Sequence, residues 1–523
     1  MAHVTVACER TDRHPGDAST ERAGGQTFVP ALFLMSGRTL GFAVSFLIPV
    51  VLVRLLDQSE FGTYKQMFLI AITLYAIGQL GMAESLFYFL PLAPRNGPRF
   101  VANSLLALAL GGLGCLLFLG LGGDLVSHWL SNPTLAHYGP GLGLYLLFML
   151  PAAVLEIMMV SLKRYRLAAA SYSSLDVLRM ALLVGPVFLW GRLEWLLVGA
   201  VVFAAIRCAA ALWYVRWEFK GMIRPEGALL RHQLAYAVPF QLSGIVETLQ
   251  SNVHQYAVSH YFDAATFAIY SVGCLQIPLV DFVASSVCNV MMVRMAEELR
   301  DGHRETALRV WRDTTRRLAL VFAPLVALLL VTAQPIITLL FTERYAASVP
   351  VFMVSSLAVL LAIFQVDGVL RVYAQTRLLF ALNLLRLAVV LSLISWSLST
   401  WHLVGAIGVT VSAVALMKTL AIVRLRAVMG VSLAEVLPWR SLGAILTVSA
   451  ASAVAALVVR VLWEAPPLAE LCATGLVYAI AYGAGLSLFG VLSPAERHMV
   501  KGWLARIMPA GRTARAGEGA RAR

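Results

Sequence analysis

Apolar runs of about 20 residues follow one another almost without interruption from residue 28 to residue 491. A helix rises 1.5 Å per residue, so each run is long enough to cross a hydrocarbon core of about 30 Å. Inside such a core every backbone polar group must be satisfied within the protein, and repeated 20-residue runs satisfy that condition only as helices. The runs fall at 28–54, 66–91, 101–122, 139–160, 167–190, 195–215, 234–258, 266–292, 318–341, 350–370, 378–398, 403–423, 441–460 and 468–491. The expectation is an all-α polytopic membrane protein with about 14 transmembrane helices. The composition agrees: 13% of residues are charged, against about 25% in a soluble domain, so no sizeable soluble domain remains.

The net charge of +13 would suit nucleic acid, but its distribution assigns it to topology. Counting loops from a cytoplasmic N-terminus, the inside loops hold Arg95 and Arg99, then Lys163, Arg164 and Arg166, then Arg216, Lys220, Arg224 and Arg231. Further inside loops hold Arg294 through Arg317, Arg371 and Arg377, and Arg424, Arg426 and Arg440. The outside loops hold only Lys65, Arg192 and Arg344. This is the positive-inside rule obeyed along the whole chain, and it places both termini in the cytoplasm. Residues 1–27 lack an apolar h-region and read as a flexible cytoplasmic arm, not a signal peptide. Residues 492–523 read as a basic cytoplasmic tail drawn to anionic lipid. The six cysteines lack CxxC or CxxH spacing, so neither a disulfide framework nor a metal site is expected.

An internal repeat sets the organisation. Ser36–Tyr64 and Ser243–Tyr270 both open on Ser-Gly, and Asp57, Phe61 and Tyr64 correspond to Asp263, Phe267 and Tyr270 at an offset of 206 residues. Both copies occupy the first helix of a six-helix block and the loop after it. The chain therefore divides into an N-lobe at 28–217 and a C-lobe at 234–424, with two accessory helices at 440–491. Six helices separate the copies, so the repeat is parallel, an arrangement that secondary transporters use with the substrate between the lobes. The charged segment Arg294–Arg317 reads as a solvated extension of the eighth helix.

Ionisable residues near a bilayer centre cost at least about 2.5–3.5 kcal/mol each, so each needs a reason. They are Arg38, Glu84, Glu156, Asp176, Arg179, Arg207, Glu247, His254, Asp281, Asp367, Arg386 and Lys418. Ser243, Glu247, Gln250 and His254 are spaced to share one face of the seventh helix, and Asp281, Ser285 and Asn289 share one face of the eighth. Lipid cannot satisfy such stripes. They line a hydrated cavity between the lobes, or they tie helices together by interhelical hydrogen bonds. Arg38 offers a permanent positive fork suited to phosphate, or else an ion pair with Glu84 or Glu247. Gln79, Gln241, Gln250 and Asn252 supply amides for the same cavity. Glu84, Glu247, His254 and Asp281 are the candidates for ion coupling or gating, with proton and sodium ion both open.

Two segments carry a family resemblance. "VRLLDQSEFGTYKQ", Val53 to Gln66, resembles the "aR.Lgp.efGly" signature of Wzx-type polysaccharide repeat-unit flippases, in the multidrug/oligosaccharidyl-lipid/polysaccharide (MOP) exporter superfamily. "AQPIITLLFTERYAASVPVFMVSSLAVL", Ala333 to Leu360, resembles that family's junction of helices 9 and 10, with Thr342 where glycine is usual. The resemblance implies two six-helix lobes that move an undecaprenyl-diphosphate-linked oligosaccharide across the bacterial inner membrane by alternating access. The product would feed O-antigen, capsule or exopolysaccharide, with a polymerase and a chain-length regulator as partners. It implies no cofactor beyond a coupling proton or sodium ion. Arg38 would take the diphosphate, and Gln79, Gln241, Gln250 and Asn252 the sugars.

Three rivals remain at this level. A multidrug antiporter of the same superfamily usually has twelve helices and an acidic residue in the first. A peptidoglycan precursor flippase usually carries more cationic residues in its cavity. A membrane polymerase would need a long outside loop or an acidic metal motif. The chain shows no Walker A, GxSxG, HExxH or DxD sequence.

Overall fold

The computed structural model describes residues 41, 43–220, 224–275, 277–463 and 466–490. Among these residues every regular element is a helix. Packing separates two compact units: one runs to Val272 and includes Ile394–Ser399, and the other holds the remainder from Gly273 onward.

The first unit begins with α1 (Ala43–Leu55) and α2 (Gln58–Gln79). Asp57 separates them because its carboxylate accepts from the Glu60 backbone at 2.7 Å while Glu60 reaches back to the Asp57 N–H at 3.3 Å. This capping box satisfies orphan donors at the start of α2. Asp263 repeats the device by accepting from the Thr266 backbone at 3.1 Å. Four and seven residues after each aspartate come Phe61 and Tyr64, or Phe267 and Tyr270, all buried. Next come α3 (Leu86–Leu92), α4 (Gly97–Leu121), α5 (Gly123–Trp129), α6 (Thr134–Ala152), α7 (Val154–Ser161), α8 (Tyr165–Trp190) and α9 (Leu193–Phe219). The unit closes with α10 (Gly227–Tyr261) and α11 (Ala264–Gly273). Gly62 of α2 meets α11 so closely that a Cβ there would stand 1.8 Å from the Ala264 carbonyl oxygen. The two aspartate-capped helix starts thus touch backbone to backbone.

The second unit holds α12 (Pro278–Arg300), α13 (Arg304–Val331), α14 (Ala333–Phe341), α15 (Val349–Leu361), α16 (Val366–Val372) and α17 (Thr376–Met429). It continues with α18 (Leu433–Val436), α19 (Trp439–Leu462) and α20 (Pro467–Leu488). Its core centres on Trp311, Phe322, Met295, Val369, Leu425 and Ile445. The fully buried Trp311 indole donates to the Val436 carbonyl at 2.9 Å, which satisfies its one polar group.

Among the described residues ten helices are long and apolar enough to cross a membrane. One of them, α17, has 54 residues, about 80 Å of helix against a core of about 30 Å. Its ladder is interrupted at His402, where φ is 50° and ψ is −137°, so it consists of two helices that meet at a kink. Several spans that read as continuous are broken. The run 66–91 divides where Leu80 and Gly81 adopt φ of 47° and 70°, leaving Glu84 in a turn between α2 and α3. The run 266–292 divides between Gly273 and Pro278, so Asp281 lies in the first turn of α12. The segment Arg294–Arg317 is not one extension, because Gly302, at φ 84°, turns the chain from α12 into α13. Hydropathy averages over a window and is blind to these single residues.

Left-handed turns recur along the backbone at a near-constant interval. Positive φ occurs at Ser131, Lys163, Gly191 and Lys220, and again at Thr342, Ala374, His402 and Gly430. The second set lies 211, 211, 211 and 210 residues after the first. The hydrogen bonds recur too: Arg164 N–H donates to the Met159 carbonyl at 2.8 Å, and Gln375 N–H to the Leu370 carbonyl at 2.8 Å.

Candidate functional site

Packing divides the chain later than the repeat does, and α10 shows why. Gln241 donates to the Ala76 carbonyl at 2.7 Å, and Tyr256 donates to the Leu69 carbonyl and the Thr73 hydroxyl at 3.1 and 2.6 Å. Gln66 donates to Ser259 at 2.7 Å, and Gln233 to Ser85 and Ser104 at 2.8 Å each. These bonds zip α10 onto α2 and α4, and residues 227–272 pack with the first unit. Gln241 therefore holds two helices together, which is the interhelical alternative raised by the sequence. The same bonds close the break after α2, since Ser85 and Ser104 also donate to the Met82 carbonyl at 2.7 and 2.9 Å.

The stripe Ser243, Glu247, Gln250, His254 has two environments. Ser243 and Glu247 are exposed, whereas Gln250 and His254 are buried. The His254 Nδ1 and the Tyr270 hydroxyl share a hydrogen bond of 2.6 Å, which ties the histidine to the second copy of the repeat motif. Asn252 is half-buried and donates to the Thr248 carbonyl of its own helix at 2.9 Å. Arg38 lies outside the described residues.

The first unit also contains a cluster of polar groups among its apolar helices. Glu156 of α7 and Arg207 of α9 form an ion pair at 2.8 Å, with side chains only 4% and 18% exposed. Arg207 also donates to the Met149 sulfur at 3.6 Å. Tyr75 lies within electrostatic reach of Arg207, Glu84, Tyr145 and Glu156, and Gln79 donates to the Tyr75 hydroxyl at 3.4 Å. One Glu84 carboxylate oxygen is buried with no hydrogen-bond partner among the described residues. Tyr145 lies within reach of both Arg207 and Arg179. Arg179 pairs with Asp176 at 3.2 Å and donates to Ser45 of α1. Of the expected site residues, this cluster brings together Gln79 and Glu84. It adds Tyr75, Tyr145, Glu156 and Arg207, of which the two charged residues are visible in the sequence as costly intramembrane groups. Asp176 and Arg179 are three residues apart on one helix and could be paired by spacing; Glu156 and Arg207 lie 51 residues apart, and no periodicity links them.

In the second unit Asp281, Ser285 and Asn289 are all exposed along α12. Lys418 donates to the Phe364 carbonyl at 2.7 Å, in the break between α15 and α16. There it satisfies a backbone acceptor that the helix ladder leaves free. Among the described residues no group of three His, Cys, Asp or Glu side chains could hold a metal ion.

The all-helical membrane fold is shared with solved transporters. The Lipid II flippase MurJ, in an inward closed conformation, superposes with a TM-score of 0.68 at 12% identity, covering 88% of this chain and 98% of its own. An inward-facing multidrug resistance MATE family transporter of the MOP superfamily gives 0.53 at 14% identity, covering 75% and 94%. A MOP superfamily transporter from Pyrococcus furiosus gives 0.53 at 13% identity, covering 77% and 95%. At such identities the likeness concerns the fold, which is that of the MOP exporters. No curated protein sequence matches the chain. Residues 51–350 match the family described as "Polysaccharide biosynthesis protein", and the chain belongs to that family.

Proposed function

We propose that this protein flips polyprenyl-diphosphate-linked oligosaccharide repeat units across the bacterial inner membrane by alternating access. The observation that carries the reading is membership of a polysaccharide biosynthesis family by a chain that folds as the MOP exporters do. Counting α17 as two passes and adding α1, α2 and α10 to the other apolar helices gives fourteen crossings. The evenly spaced left-handed turns support two homologous six-helix halves, with α19 and α20 as accessory helices. Both termini then lie in the cytoplasm, by the distribution of arginine and lysine.

The exposed Glu247 on α10 and the exposed Asp281, Ser285 and Asn289 on α12 support a hydrated substrate path, because lipid satisfies none of them. Glu247 and Asp281 have no hydrogen bond or ion pair among the described residues. They are better placed for proton or sodium coupling than His254, which is held by Tyr270. In this reading Arg38 binds the diphosphate, Gln79, Gln250 and Asn252 meet the sugars, and Glu84 gates.

The test is translocation of a fluorescent polyprenyl-diphosphate oligosaccharide in proteoliposomes, with Arg38→Ala and Glu247→Gln beside the wild type. Translocation by the wild type, with binding lost in Arg38→Ala, supports the proposal. Export of an organic cation with no movement of the lipid-linked glycan replaces it with the antiporter reading.

A further inference from the structure

The second unit carries a groove lined by none of the residues assigned above to the transport path. It lies between α12 and α13, which run antiparallel on either side of the turn at Asp301–His303 and enclose a cavity of about 440 Å³. Val283, Val287 and Arg294 line it from α12, and Val310, Arg317 and Val321 from α13. Each set keeps to one helical face by its spacing. From Val283 to Arg294 the groove extends about 16 Å along the helix. Its two ends differ in kind. Arg294, Val310 and Asp313 lie toward the turn, Arg317 lies about 6 Å beyond Asp313 and about 10 Å beyond Val310 along α13, and Val283 and Val321 close the apolar end.

The charges of this groove are unspent. Arg294, Asp313 and Arg317 are exposed, and none has a hydrogen bond or ion pair among the described residues. Together they leave one net positive charge. Beside them Val290 and Val321, both in the groove wall, expose 58% and 52% of their surface on membrane-length helices, so the rim is apolar and belongs to the lipid-covered side. Two guanidinium forks recognise phosphate oxygens, and one net positive charge matches a phosphodiester with its single negative charge. A diphosphate, with at least two, would be left overbalanced beside Asp313.

We infer that the groove holds one anionic glycerophospholipid of the surrounding membrane, with its phosphodiester between Arg294 and Arg317 and an acyl chain along the valines. Basic pockets between membrane helices are suited to such headgroups. The site is separate from the transported substrate and does not depend on which substrate that is.

The experiment is native mass spectrometry of the full chain released from nanodiscs containing equal phosphatidylglycerol and phosphatidylcholine. The wild type is expected to retain one phosphatidylglycerol in preference to phosphatidylcholine. At about fivefold per arginine, the double variant Arg294→Gln/Arg317→Gln should lose about 25-fold in that preference. Asp313→Asn should raise it by about fivefold. Arg309→Gln/Arg424→Gln removes the same charge from exposed positions outside the groove and should leave it unchanged. Equal retention of the two lipids by the wild type, or equal losses in the two double variants, overturns the inference. Displacement of phosphatidylglycerol by added polyprenyl phosphate also overturns it, since the groove would then be a substrate site.

Discussion

Glu156→Met would strand the Arg207 guanidinium inside the first unit. The pair stands at 2.8 Å with side chains 4% and 18% exposed, so little water can replace the lost carboxylate. Among the described residues the remaining side-chain hydrogen bond of Arg207 is to the Met149 sulfur at 3.6 Å, a weak acceptor. Breaking a buried pair from one side costs about 3–5 kcal/mol, while replacing both partners by apolar residues of similar size is often neutral or stabilising. A unit of this size loses about 2 °C in unfolding midpoint per kcal/mol. Glu156→Met should therefore lower the midpoint by about 6–10 °C. The double variant Glu156→Met/Arg207→Met should return to within about 2 °C of the wild type or exceed it. With Cys8, Cys274, Cys288 and Cys472 replaced by serine, the buried free thiols Cys115 and Cys208 remain, and a thiol-reactive fluorophore followed on heating reports the opening of this unit. Additive losses in the double variant would refute the reasoning, as would a loss below about 2 °C in Glu156→Met. If the pair also serves transport, the double variant will be stable yet unable to flip the glycolipid.

Gly62→Ala gains helix propensity of about 1 kcal/mol but places a methyl 1.8 Å from the Ala264 carbonyl oxygen. The net effect is expected to be destabilising by about 1–3 kcal/mol in the same thiol assay, whereas Gly185→Ala, which meets nothing within 4 Å, should be neutral or slightly stabilising. Arg460 joins Glu470, the Val331 carbonyl and Gln334 at 2.8, 2.7 and 2.8 Å. Arg460→Gln should loosen the α19–α20 end, seen as faster hydrogen exchange at the start of α20, and Arg460→Lys should not rescue it because an ammonium lacks the fork. Outside the membrane, hydrogen bonds from the Ser432 backbone and hydroxyl hold the Glu435 carboxyl below its usual range. A depressed pKa gives stability that is present above the unfolded value of about 4.3 and lost as pH falls through the folded one. Exchange protection of α18 should therefore fall on acidification in the wild type and be independent of pH in Glu435→Gln.

Much of the architecture is legible in the chain because insertion into a bilayer is decided segment by segment. Apolar length, the side on which arginine and lysine fall, and the repeat spacing that matches Asp57 with Asp263 are all local quantities that a linear reading can sum. Glu156, Asp176, Arg179 and Arg207 stand out in the same way, as charges with a cost to explain. What a linear reading misses is which polar group meets which. Gln241 and His254 read as cavity groups, yet one bonds the Ala76 carbonyl and the other the Tyr270 hydroxyl.

Membrane class, helical content and family are thus properties of the sequence by itself, since each rests on transfer free energy and motif within a segment. The tertiary structure alone decided that Glu156 pairs with Arg207, that α10 belongs with the first unit, and that spans break at Gly81 and Pro278. Those outcomes depend on helices far apart in the chain coming into contact, and an unpaired polar group in hydrocarbon takes whichever partner that contact supplies.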